Sequence, residues 1–177
     1  MSSRINTIDT SDLESDRQDL ENEFESLCSA IQDIEPAEDG DDEDFDRYQE
    51  ERVGACEELA NWLGVQPHCH IEFIGSIDDL LQDGSYLLER WACGGDGLRL
   101  KELEELKSDV GWGRDNIKLI DEGSFAEYAE QHAADTCSED LTRWPCNHID
   151  WDQAAEALKV DFQSVEYDGN TYLYESR

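Results

Sequence analysis

Leu13, Leu20, Leu27 and Ile34 stand seven residues apart, and Phe24 and Ile31 occupy a second row between them. This spacing restricts the fold more than anything else in the chain. Two apolar positions per heptad over three repeats place one stripe along a helix, and a strand cannot use a period of seven. Arg17 breaks the second row. Thr10 or Ser11 can cap the start and Pro36 lies just past the end, which predicts one amphipathic helix over 11–35.

Phe45, Tyr48, Arg52, Cys56, Leu59 and Leu63 continue at helical spacing, and Gly64 supplies a stop, so a second helix is expected over about 44–63. The connecting "EPAEDGDDED" is too polar to pack. The economical arrangement is an antiparallel, coiled-coil-like helical hairpin with arms of about 30 to 37 Å, at about 1.5 Å of rise per residue. A dimeric coiled coil is the other use of the heptads, so a homodimer stays open. This hairpin defines an expected first domain, residues 1–66.

After Gly64 the texture changes. "HCHIEFI" (68–74) reads as a strand, "SIDDLLQ" and "SYLLERWAC" as short helices, and "GGDG" (94–97) as a flexible break. "LRLKELEELKSDV" (98–110) restores helical periodicity. "NIKLIDE" (116–122) alternates as a strand, and "SFAEYAEQHAADTC" (124–137) is helical. Asp150 can cap a helix whose inward face is Trp151, Ala154, Ala155 and Leu158. The last two strands turn about Asp168-Gly169-Asn170. The expected fold class is α+β: the hairpin, then a small α/β domain over 67–177 that ends in a β-hairpin, the whole elongated and acidic at its surface.

Charge decides which functions remain. The chain's 177 residues hold 46 Asp and Glu against 13 Lys and Arg, a formal net charge of -33. The excess is spread along the chain, with nets of -15 over 1–50, -7 over 51–107 and -11 over 108–177. Such a field repels nucleic acid and attracts basic surfaces, raising their encounter rate. With 38% hydrophobic and 9% aromatic residues the chain has enough apolar material to fold, so the charge belongs to a folded surface. No apolar run reaches the roughly 20 residues that a membrane span needs. Six cysteines without a basic-then-apolar leader at the N-terminus suggest a reduced, cytoplasmic protein.

Catalytic and metal-binding patterns are weak. His132, Cys137, Cys146 and His148 offer four ligand types, but H-x4-C-x8-C-x-H lacks the paired units of a zinc site, as does His68-Cys69-His70. Buried or half-buried Cys and His, with free cysteine packing like a small hydrophobe, is the better account of these residues. There is no G-x-S-x-G, phosphate loop or H-E-x-x-H. The expectation is a protein that is not an enzyme, has no cofactor and holds no metal.

Carboxylate spacing is more informative. Asp12, Asp16, Asp19 and Glu23 step by three or four along one helix face. Each such like-charged pair costs a few tenths of a kcal/mol, so a surface that keeps them uses the field. B-DNA carries one charge per ~1.7 Å of axis, and 33 charges therefore match about 55 Å of duplex. Two readings follow. One is a decoy for a basic, DNA-binding cleft, with Asp12, Asp16, Asp19, Glu23, Asp39, Asp41, Asp42, Glu43 and Asp44 in the hairpin as partner-binding residues. Glu127, Glu130, Asp152, Glu156 and Asp161 extend that set behind it. The other is adaptation to high salt, or an adaptor that binds a basic partner without mimicking DNA. Four Lys beside nine Arg suit the high-salt reading, while six Cys and five Trp do not.

"GSFAEYAEQHAADTC" and "WPCNHIDWDQAAEALKVDFQSVEYDGNTYLY" resemble the C-terminal part of the ArdA family of antirestriction proteins. The matching positions are Phe125, Tyr128, Ala129, Ile149, Asp150, Trp151, Ala154, Ala155, Leu158, Val165, Tyr172 and Tyr174, within residues 115–175. That family consists of elongated acidic proteins that mimic bent DNA in the groove of type I restriction-modification enzymes. The resemblance implies a non-catalytic anti-defence inhibitor from a phage or other mobile element, acting in the host cytoplasm. The long helices before residue 66 depart from the family's pattern and leave room for another target, such as a CRISPR effector.

Overall fold

The computed structural model describes residues 5–36, 42–113, 116–137, 141, 143–144 and 146–175. Among them are seven α-helices and one four-stranded antiparallel sheet. The chain divides into two compact units, one of residues 1–14 with 106–177 and one of 15–105. The expected division near residue 66 differs because both unit boundaries fall inside helices.

The unit Ser15–Glu105 holds most of α1 (Thr10–Gln32), all of α2 (Asp42–Trp62), α3 (His70–Leu80) and α4 (Gly84–Trp91), and most of α5 (Gly95–Val110). Both long helices lie where the apolar period places them. Their partners are not those of an isolated hairpin. In an antiparallel pair joined over 33–41, Phe24 would lie across from residue 50, yet its ring stacks on Trp62 with centroids 5.4 Å apart. That contact is about 18 Å out of hairpin register along the helix axis. The seam of α1 is instead buried among the other helices of the unit. Asp16 pairs with Arg99, Arg17 with Glu104, and the Gln32 amide donates to the Leu81 carbonyl. Arg52 of α2 pairs with Asp78 of α3. Neighbours distant in sequence, rather than a paired register with α2, decide the packing of α1.

The segment expected as a strand at 68–74 opens α3. Phe73, Ile77 and Leu80 are buried at helical spacing while Ile71 is 87% exposed, so the local alternation was coincidental and the longer period governs. The glycine cluster is not a flexible break either. Gly64 takes φ +71°, and a Cβ built there would lie 2.4 Å from the Gly94 Cα. A Cβ on Gly97 would lie 2.8 Å from the Leu63 Cα. Cys93 and Gly94 both donate their N–H to the Leu63 carbonyl. The glycines let the end of α2 and the start of α5 cross backbone against backbone.

In the other unit the strand order is β1-β2-β4-β3, built from β1 (Thr7–Asp9), β2 (Lys118–Asp121), β3 (Phe162–Tyr167) and β4 (Asn170–Glu175). β1, not anticipated from sequence, pairs Ile8 with Leu119. Asp168 and Gly169 form the β3–β4 turn with φ of 49° and 71°, the two positive values that a type I′ hairpin turn needs. Helices α6 (Phe125–Thr136) and α7 (Trp151–Leu158) pack together, and Ile120, Phe125, Ala129, Ala155 and Leu173 form their core with the sheet. Tyr172 and Tyr174 flank Leu173 and, by strand alternation, face the other way. The Tyr174 hydroxyl donates to the Asp109 carbonyl and meets Gln163.

Helix ends are closed by carboxylates. Asp150 accepts from the Gln153 N–H, and Asp83 from the Tyr86 N–H. At the start of α1, Asp9 accepts from the Ser11 N–H and hydroxyl, and these bonds hold its carboxyl below the usual range. No helix among the described residues is long and apolar enough to cross a membrane.

Candidate functional site

The chemistry on offer is an uneven distribution of charge. Residues 15–105 carry 27 acids against 6 bases and the other unit 19 against 7. The bases are largely engaged within their own unit. Arg17, buried in the seam of α1 at 6% exposure, bridges Glu21 at 3.0 Å and Glu104 at 2.5 Å. Arg47 is held by Asp44, Arg52 by Asp78, and Arg99 by Asp16. In the other unit Lys107 pairs with Glu14, and Lys159 with Glu122 and Glu156.

Carboxylates, some of them paired and some not, make up much of the exposed surface. Of the residues singled out from sequence, Asp16, Asp19 and Glu23 are exposed on α1, and Asp42 and Glu43 at the start of α2, while Asp44 is half-buried against Arg47. Asp39 and Asp41 lie outside the described residues. In the second unit Asp12, Glu130, Asp152, Glu156 and Asp161 are exposed and Glu127 is half-buried. Asp152 and Glu156 stand one helical turn apart on α7, with Glu156 held 2.8 Å from Lys159. The twelve described residues thus fall into two sets of six, one in each unit.

Sequence reasoning stopped too early on α2. Asp46, Glu50, Glu51, Glu57 and Glu58 are exposed and have no ion-pair partner among the described residues. The signal was available: Arg52, which interrupts that acidic stretch, sits at a core-facing helical position and turns inward to α3. On α1, five carboxylates occur between Asp16 and Glu25. That is one per about 3.4 Å of helix axis, close to the ~3.4 Å per charge along one DNA strand.

A second feature lies wholly within the unit Ser15–Glu105. Helices α1, α4 and α5 bound a groove of about 780 Å³. Its floor is apolar, made by Phe24, Leu81, Leu88 and Leu100, with Gly84 bringing the backbone of α4 onto the Phe24 ring. Its rim is acidic: Glu21, Glu25, Glu89, Glu104 and Glu105 face one cation, Lys101, whose ammonium donates to the Glu89 carbonyl oxygen. Cys28 lines the groove half-buried, and burial pushes its thiol up to about 11, with Glu25 adding to the shift. At neutral pH it is mostly a protonated thiol and therefore a slow nucleophile.

The Cys/His set does not assemble. His132 stacks on Tyr128 with centroids 5.7 Å apart, and Cys137 is exposed beyond the end of α6. His70 approaches the Val65 carbonyl at 3.1 Å. Among the described residues no group of three or more His, Cys, Asp and Glu is placed to hold a metal ion. No family model, characterised protein or solved structure matches the chain.

Proposed function

We propose that the protein is an acidic decoy that inhibits a DNA-binding defence enzyme of a host cell by occupying its phosphate-binding cleft in the cytoplasm. A type I restriction-modification complex is the first candidate target and a CRISPR effector the second. One observation carries the reading: among the described residues most arginines are paired with carboxylates of their own unit, while Asp19 and Glu23 on α1 and Asp46, Glu50, Glu51, Glu57 and Glu58 on α2 are exposed and have no ion-pair partner. A surface evolved for stability alone would intersperse the signs and gain from the pairs. An outward field of one sign suits a basic groove, and its attraction weakens as salt rises.

Competition tests the proposal. Added to a purified type I restriction-modification complex, the protein is expected to displace bound duplex DNA, and excess duplex to displace the protein. A ternary complex with both bound would refute the decoy. The variant Asp19→Lys, Glu23→Lys, Glu50→Lys, Glu57→Lys reverses four exposed charges and is expected to weaken inhibition by about tenfold or more, while each single reversal changes it only slightly. Loss through one Asp→Asn exchange, with the fourfold variant intact, would point to a discrete site instead.

A further inference from the structure

We infer that the groove between α1, α4 and α5 is a docking site for a basic amphipathic helix of a partner protein. A floor of leucines and Phe24 is what an apolar helix stripe needs, and the usual mode is a helix laid into such a groove with anchors one turn apart. The rim selects the occupant. Glu25, Glu89 and Glu105 are exposed and have no ion-pair partner among the described residues, so Lys or Arg beside the apolar stripe would be matched and acidic helices repelled. Glu21 and Glu25 stand one turn apart on α1, as do Lys101 and Glu105 on α5, which gives the rim the repeat of a helix in both walls. The contact is partly apolar, so it resists salt better than contacts of the outward carboxylates. Groove occupation does not require that the partner bind DNA, so it survives if the decoy fails.

Cys28 reports on the groove. The probe is a peptide of about 14 residues with Leu at helical spacing and Lys elsewhere, compared with a peptide of the same composition whose order gives no apolar stripe. Iodoacetamide labelling of the full chain is read cysteine by cysteine by peptide mass, with exposed Cys93 and Cys137 as internal controls. The ordered peptide at about four times its Kd is expected to slow labelling of Cys28 about fivefold and leave Cys93 and Cys137 unchanged. Leu88→Lys is expected to abolish the protection. Because that change could disturb folding, the exposed triple variant Glu25→Gln, Glu89→Gln, Glu105→Gln provides a second arm, expected to weaken binding with a melting temperature that does not fall. Equal protection by the disordered-stripe peptide would overturn the inference. So would protection by dodecyltrimethylammonium but not the peptide, which marks a small-molecule site, or protection that grows with protein concentration alone, which marks a second copy of this chain.

Discussion

Arg17 shows how one side chain can be misread in a linear pattern. It interrupts an otherwise apolar row, yet it is turned inward and neutralised by Glu21 and Glu104. A buried guanidinium costs desolvation, and its carboxylates offset that cost only while the pairing holds. Arg17→Ala is expected to destabilise by roughly 3 kcal/mol, whereas Arg17→Met, which fills the volume without a charge, loses less than half as much; urea denaturation separates them. Only the break in the row was visible beforehand, because Glu104 lies 87 residues away. Asp150 was legible, since a cap interacts with the next turn of its own helix. Asp150→Ala is expected to cost about 1 kcal/mol in thermal or urea unfolding. Cys28 adds a pH dependence. Its folded thiol titrates at about 11, above the unfolded value, so its contribution is complete below the unfolded pKa and lost as pH rises through the folded one. Its alkylation is therefore expected to accelerate between the ordinary thiol range and about pH 11.

Elements were legible where one local signal sufficed. α1, α2, α6 and α7 follow from apolar period and caps, and the closing hairpin from Asp168-Gly169, because a two-residue turn of this kind sets the strand register. Three features escaped. β1 is three residues long, and its place beside β2 depends on a strand over a hundred residues away. The α3 segment carries a short alternation that only the burial of Phe73, Ile77 and Leu80 resolves. The Gly94–Gly97 cluster looked flexible because glycine marks both hinges and close approaches, and only the partner backbone distinguishes them. This crossing gives a sharp expectation. Gly97→Ala drives a Cβ into the Leu63 backbone and should lower stability by several kcal/mol. Gly113→Ala, where a Cβ meets nothing within 4 Å, should be nearly neutral in the same melting experiment.

At the scale of the molecule, the acidic surplus was the plainest statement in the sequence, and the groove was the least legible. Its floor and rim come from three helices and gather only when the unit folds. The surplus also sets a measurable balance between self-repulsion and ion pairing. Salt weakens both, but with a net charge of -33 the repulsive pairs outnumber the attractive ones. At about 10 mM ionic strength the Debye length is roughly 30 Å and repulsion reaches across a compact unit, whereas at about 150 mM it falls to roughly 8 Å. The melting temperature is therefore expected to rise over that interval and then level off, because beyond it only near neighbours interact and many of those are already paired. The buried apolar residues of both units should keep the protein folded even at the low end. A chain whose acidity serves a high-salt interior should behave differently, unfolded at about 10 mM and still gaining stability as salt approaches about 1 M, where the Debye length is roughly 3 Å. A calorimetric salt series thus separates the two origins of the charge: a plateau near physiological salt supports the decoy, and continued gain toward molar salt removes the reason for proposing it.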